Sequence, residues 1–220
     1  MKRNQSGFTL IEIAIVVTIV GLLLTGILKG QALINSSKIK NLAVDFKNIP
    51  AYIYGYQDKF KSTPGDDANV AYHITGGTVC TPSVLGKCTP ANGIIDGNWN
   101  ATDVGSESFL FWQHIRLAGL APGSTDTAAI DYIPKNTVGG NIGITSSGIN
   151  VPIIGMKGEY IICSDNILGK FVKQLDITLD DGNTATGSMM VTATGTSSGG
   201  TPIATTDIID DQTYLVCMSE

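Results

Sequence analysis

The sequence has little charge and few of the side chains that perform chemistry. Only 15% of its residues are Asp, Glu, Lys or Arg, it has two histidines and two tryptophans, and its four cysteines include no C-x-x-C pair. With so few histidines and no H-E-x-x-H, G-x-S-x-G or phosphate-cradling glycine loop, the chain offers no nucleophile–base arrangement that would mark an enzyme. A zinc site is short of ligands, because His73, Cys80 and Cys88 have no fourth partner close in sequence. Acidic residues outnumber basic ones 19 to 14, giving a net charge of −5, and so supply no general attraction to nucleic-acid phosphates. Scarce charge together with 26 glycines argues against a helical bundle and for a β- and loop-rich surface.

What is present is one long apolar run close to the amino terminus. Residues 7–28 read GFTLIEIAIVVTIVGLLLTGIL. From Phe8 to Leu28 is roughly 21 residues, and a helix of that length spans about 31 Å, close to the ~30 Å hydrocarbon core of a bilayer. Lys2 and Arg3 precede it, which places the amino terminus in the cytoplasm and the remainder across the membrane. No small-residue cleavage site follows Leu28, since Lys29-Gly30-Gln31 continue the helical pattern, so a secretory signal peptide is disfavoured. Glu12 stands one turn into the run, where a lone carboxylate in lipid costs on the order of 2.5–3.5 kcal/mol. A charge kept at that cost implies a cationic partner.

The basic leader Met1-Lys2-Arg3, Gly7 placed directly before Phe8-Thr9-Leu10-Ile11-Glu12, and the unbroken apolar helix resemble the class III signal of type IV pilins and type II secretion pseudopilins. The resemblance implies that a prepilin peptidase cuts between Gly7 and Phe8 and that Phe8 is then N-methylated. It also implies that Glu12 acts in assembly, neutralising the terminal ammonium of an adjacent subunit. Gly21 falls on a position commonly Gly in these proteins, whereas Lys29 stands where many pilins have Pro. The fold implied is α+β and pilin-like, a long amino-terminal helix with a transmembrane and an amphipathic half packed on a β-rich carboxy-terminal globular domain. The expected organisation is a cleaved leader 1–7, a membrane and assembly helix 8–28, an amphipathic continuation 29–61 and a globular domain 62–220 outside the membrane. That domain divides into a variable loop region 62–106 and a region 107–220 of helix and antiparallel strands.

The residues beyond the bilayer carry the same helix onward. Leu28, Ala32, Asn35, Ile39, Leu42, Phe46, Ile49, Ile53, Tyr56 and Phe60 alternate steps of four and three and trace one helix face, with Pro50 predicting either a kink or a fresh helix start. Ser62-Thr63-Pro64-Gly65-Asp66-Asp67 ends it. In the loop region, Asp96, Asn98, Asn100, Thr102 and Glu107 echo the oxygen spacing of an EF-hand loop, although Ala101 replaces the glycine such a loop needs. Calcium is therefore the one cofactor candidate, against a plainer reading of these residues as turn formers and helix caps.

Glu107 to Leu120 reads as an amphipathic helix with His114 and Trp112 packed in the core. Strands are expected at Asn141–Thr145, Pro152–Met156, Glu159–Cys163, Met189–Thr192 and Tyr214–Met218, with a helix capped by Ser164 or Asp165 running to Leu175. Asp180-Asp181-Gly182-Asn183 reads as a solvated turn. Cys80, Cys88, Cys163 and Cys217 lie in a disulfide-permissive compartment and allow three connectivities, of which Cys80 with Cys88 and Cys163 with Cys217 pairs neighbours.

The function expected from these features is that of a structural subunit, major or minor, of a type IV pilus-like filament. It would be held in a bacterial inner membrane and then built into a periplasmic or cell-surface filament with homologous subunits. A type II secretion pseudopilin is the first alternative and an adhesive or DNA-binding minor pilin the second, the acidic balance weighing against nucleic acid.

Overall fold

The computed structural model describes residues 7, 9–81, 87–148 and 150–220. The chain divides between Lys38 and Ile39 into two compact units. Helix α1 runs from Leu10 to Phe60, 51 residues. The rest is α2 (Val70–His73), α3 (Glu107–Leu117), β1 (Ile142–Ser146), β2 (Tyr160–Leu168), α4 (Gly169–Leu179), β3 (Met189–Ala193), a short 3-10 turn Thr205–Asp207 and β4 (Thr213–Ser219).

The side chains of α1 from Leu10 to Leu28 are exposed, and its most apolar 18-residue window has a mean hydropathy of 2.6 with no residue buried. The helix is long and apolar enough to cross a membrane. Its hydroxyls are satisfied within it, Thr18 Oγ1 donating to Ile15 O at 2.8 Å and Thr25 Oγ1 to Gly21 O at 2.9 Å, which suits a segment with no water to bond.

In the second unit the periodic stripe becomes core. Leu42, Phe46, Ile49, Ile53 and Tyr56 are buried at the spacing that puts them on one face. Pro50 lies inside the helix without ending it; only its missing N–H interrupts the bonding. Four antiparallel strands form a sheet in the order β1-β2-β4-β3. Alternation along the strands gives it two buried faces. Ile144, Tyr160, Ile162, Val191, Val216 and Met218 join α1, α3 and α4 in the main core, while Ile161, Cys163, Met190, Leu215 and Cys217 meet Trp99, Ile153 and Met156 on the other side. The approach of the Trp99 loop requires a glycine: a Cβ on Gly143 of β1 would sit 1.8 Å from Trp99 O.

Three elements differ from the sequence expectation. Pro152–Met156 is not a strand; Ile153 bridges Gly200, which lies outside the four strands, and buried Ile153 and Met156 pack over the second face of the sheet. Pro152 has no donor for a ladder, which explains the outcome. The helix expected from Ser164 begins instead at Gly169, because β2 continues through a bulge between Ser164 and Ile167. Asn166 absorbs the bulge at φ 60°, a left-handed conformation that Asn tolerates. Helix α3 ends at Leu117 rather than Leu120.

Both disulfides pair sequence neighbours: Cys80 with Cys88, and Cys163 with Cys217. The second joins residues directly opposite one another on β2 and β4. By the loop-entropy argument its 54-residue separation is worth about 4 kcal/mol.

Candidate functional site

The amino-terminal end of α1 carries the residues that the sequence singled out. Gly7 is exposed; Phe8 and the leader residues Met1, Lys2 and Arg3 lie outside the described residues. Thr9 and Glu12 form a reciprocal cap. The Thr9 N–H and Oγ1–H donate to Glu12 Oε2 at 2.8 and 2.7 Å, and the Glu12 N–H donates back to Thr9 Oγ1 at 3.3 Å. Thr9 thus takes the N-cap position and Glu12 the third helical one, so the carboxylate satisfies an amide that would otherwise be orphaned. This pair was legible as a Thr-x-x-Glu box before an apolar run, a signal that the charge argument about Glu12 overlooked. Both residues are exposed, and among the described residues the carboxylate has polar partners but no cation.

The calcium candidates are brought near one another but largely occupied. Glu107 is fully buried at the start of α3, where its Oε1 accepts the Thr89 N–H at 2.8 Å and its Oε2 the Asp96 N–H at 2.9 Å. Oε1 also lies 3.3 Å from Cys80 Sγ of the first disulfide. Burial pushes the Glu107 carboxyl up to about 8, against the pull of those two amides. Asp96 Oδ2 accepts from Asn92 Nδ2 at 3.2 Å, Asn100 Nδ2 donates to Ser197 Oγ at 3.0 Å, and Thr102 is exposed. Asn98 is half-buried and caps a turn through its carbonyl, which accepts the Ala101 N–H. The arrangement ties the disulfide loop, the Asp96 turn and α3 together through one carboxylate. The cysteine sulfurs, being joined to each other, are not thiolate ligands for zinc.

A second acidic cluster went unnoticed in the sequence. Asp66 and Asp67, after the helix end, are both buried. Asp66 accepts the N–H groups of Asn92 and Gly93, and Asp67 Oδ2 accepts from Tyr56 Oη at 2.8 Å and His73 Nδ1 at 2.7 Å. Burial pushes Asp67 up, but donors from His73, Tyr56 and Asn69 outweigh it and hold the carboxyl below its ordinary range. His114 is neutral by the same logic: its Nδ1 accepts the Gly65 N–H, its Nε2 donates to Thr78 O, and burial depresses its pKa. These groups lock loops onto α1 and α3 and leave no base facing a nucleophile.

The amino-terminal end therefore holds the geometry that needs a partner. Comparison with known proteins bears on the same stretch: residues 2–28 match the family described as the prokaryotic N-terminal methylation motif. No curated protein and no solved structure matches the chain. With a helix from Leu10 that is apolar enough to span a bilayer and a cap built from Thr9 and Glu12, residues 2–28 carry the prepilin signal of type IV pilins and pseudopilins.

Proposed function

We propose that this chain is a structural subunit of a type IV pilus-like filament. Prepilin peptidase processes it after Gly7, Phe8 is methylated, and the apolar half of α1 moves from the inner membrane into the filament core. The observation that carries this reading is the methylation motif over residues 2–28 on a helix whose apolar side chains from Leu10 to Leu28 are exposed. Other copies supply their partners. Helices exchange lipid contacts for one another, and Glu12, exposed at the helix start, pairs with the ammonium that cleavage creates on a neighbour. The motif points to a structural subunit rather than an enzyme.

The test is the amino-terminal mass of the protein recovered from membranes and from material sheared off cells. A chain beginning at Phe8 with one extra methyl group, present in the sheared fraction, is expected. A mature chain confined to the envelope under all growth conditions points to a pseudopilin, and an uncut amino terminus in cells with active peptidase overturns the reading. Glu12→Val is expected to leave a processed, membrane-resident chain that is lost from the sheared fraction.

A further inference from the structure

We propose that Cys80, Cys88 and Glu107 form a zinc site in the chain whose first disulfide is still open, and that closure of this disulfide expels the metal. The proposal is independent of the filament reading, since it concerns a loop and a helix of the second unit alone.

The three residues are buried, and their two sulfurs and one carboxylate oxygen lie within 4.8 Å of one another, the one such cluster among the described residues. Sequence spacing leaves Cys80 and Cys88 short of ligands. The fold supplies a third from α3, with Glu107 Oε1 3.3 Å from Cys80 Sγ. Tetrahedral zinc, with bonds of about 2.3 Å to sulfur and about 2.1 Å to oxygen, sets sulfur and oxygen about 3.6 Å apart and two sulfurs about 3.8 Å apart. The first separation is nearly met as it stands. The second needs the sulfurs to be thiolates, and their Cα atoms, 6.1 Å apart, leave the side chains room to turn. Two thiolates with one carboxylate favour zinc over calcium or magnesium. The other pair, Cys163 and Cys217, has Cα atoms 4.1 Å apart and, among the described residues, no third ligand.

Hydrogen bonds hold this cluster together without help from the disulfide. Lys87 O accepts the Glu107 N–H at 3.1 Å, and the Thr89 N–H donates to Glu107 Oε1 at 2.8 Å, so the residues on both sides of Cys88 are fastened to Glu107. Ahead of Cys80, Thr78 is fastened to α3 twice. Its N–H donates to Gln113 Oε1 at 2.9 Å, and its carbonyl accepts from His114 Nε2 at 2.8 Å. With the sulfur–sulfur bond open, two thiols and a carboxyl therefore still face one another. The Thr89 and Asp96 N–H groups then orient the carboxylate as outer partners of a metal ligand do, each oxygen retaining a lone pair. Charge points the same way. Among the described residues no Lys, Arg or His pairs with Glu107, while Asp66 and Asp96 add negative potential to a carboxyl already out of water.

A newly made chain carries four thiols, which can pair in three ways. Zinc displaces the thiol protons of Cys80 and Cys88 and withholds both sulfurs from exchange, so that Cys163 and Cys217 have only each other. Oxidation by a disulfide donor then closes the site. One thiolate attacks the donor, forming a mixed disulfide and freeing one donor thiolate. The second thiolate attacks that mixed disulfide, which closes Cys80–Cys88 and frees the other donor thiolate. Zinc, left with the carboxylate and the water in its fourth position, departs.

The test uses the full-length chain in a neutral detergent, reduced with a tertiary phosphine, which takes the oxygen of one water per disulfide and leaves two thiols. Zinc is supplied at micromolar free concentration and counted with a chromophoric chelator. Reduced wild type is expected to bind one zinc per chain, and the oxidised protein and reduced Cys80→Ser/Cys88→Ser none. Cobalt(II) in place of zinc is expected to give thiolate charge-transfer bands in the wild type alone. Glu107→Gln is expected to weaken zinc about tenfold or more, while its Cys80–Cys88 bond still closes on oxidation and so shows the loop to be in place. Where that variant does not close the bond, X-ray absorption of zinc on the wild type decides instead: two sulfurs are expected, and any other sulfur count overturns the proposal. No zinc on the reduced wild type, an equal amount on the double cysteine variant, or undiminished affinity in a Glu107→Gln chain that closes its disulfide overturns it as well.

Discussion

Gly143 shows how much a single position can decide. The Trp99 loop covers the sheet so closely that a methyl group on Gly143 would stand 1.8 Å from Trp99 O, with no flexible side chain to give way. Gly143→Ala is expected to lower stability by on the order of 3 kcal/mol, read as a drop in melting temperature and as loss of protection for the Trp99 indole, whose Nε1 donates to Thr196 O. Asp176 is the opposite case, a residue whose replacement helps. It is fully buried on α4, and among the described residues neither carboxylate oxygen has a partner at full hydrogen-bonding geometry, the Gly182 amide only approaching it. Burial, with Asp180 and Asp181 adding like charge, pushes its carboxyl up to about 6 against the pull of the Gly182 amide. The folded state then holds a proton that the unfolded chain has released, so stability falls as pH rises from about 4 to about 6. Asp176→Asn is expected to flatten melting temperature against pH over that interval and to raise stability at pH 7 by about 1–2 kcal/mol. A variant profile parallel to wild type would refute the assignment.

Among the elements, those built on periodicity were readable from sequence and those built on exceptions were not. The stripe from Leu42 to Tyr56 specified both the existence of α1 and its buried face, because a repeat of three and four needs no tertiary information. The end of β2 could not be read in that way. Ser164 and Asp165 look like helix caps, and only in the fold does Asp165 accept from Thr194 Oγ1 and the Gly195 N–H, holding the strand through its bulge. The loop from Asp96 to Glu107 is ambiguous in sequence for a related reason. Residues that form turns are the residues that bind calcium, and spacing alone does not say whether their oxygens face a cation or a backbone amide. Since Glu107 accepts the Asp96 and Thr89 N–H groups, calcium at millimolar concentration is expected to leave the melting temperature unchanged. A rise that Glu107→Ala or Asp96→Ala removes would show that the loop opens to a cation after all.

For the whole molecule, the buried acids act together. Asp45, Asp176 and Glu107 are raised to about 6, about 6 and about 8, so each contributes stability that is complete in acid and lost as pH climbs. Below about pH 6.5 the depressed pKa of buried His114 works in the opposite direction, so thermal unfolding in a neutral detergent is expected to show a melting temperature that declines from about pH 6.5 to pH 8, the decline disappearing in Glu107→Gln; a profile rising over that range would contradict it. The candidate site divides by the same logic of legibility. Glu12 is visible in sequence because a membrane makes a lone charge conspicuous, and Gly7 and Phe8 through the resemblance of the leader to a prepilin signal, whereas the Asp67 cluster with Tyr56 and His73 depends on segments that only folding brings together.

The strand order carries a further consequence. Strand β4, the last of the four along the chain, lies between β2 and β3 and carries the partner of Cys163. In a chain emerging from its amino-terminal end, β1 and β2 can pair at once, but β3 has no strand to join, because the ladder between β2 and β3 is missing its middle. Completion of the sheet is thus timed by arrival of Thr213–Ser219, and the Cys163–Cys217 disulfide marks a sheet whose middle strand is in place.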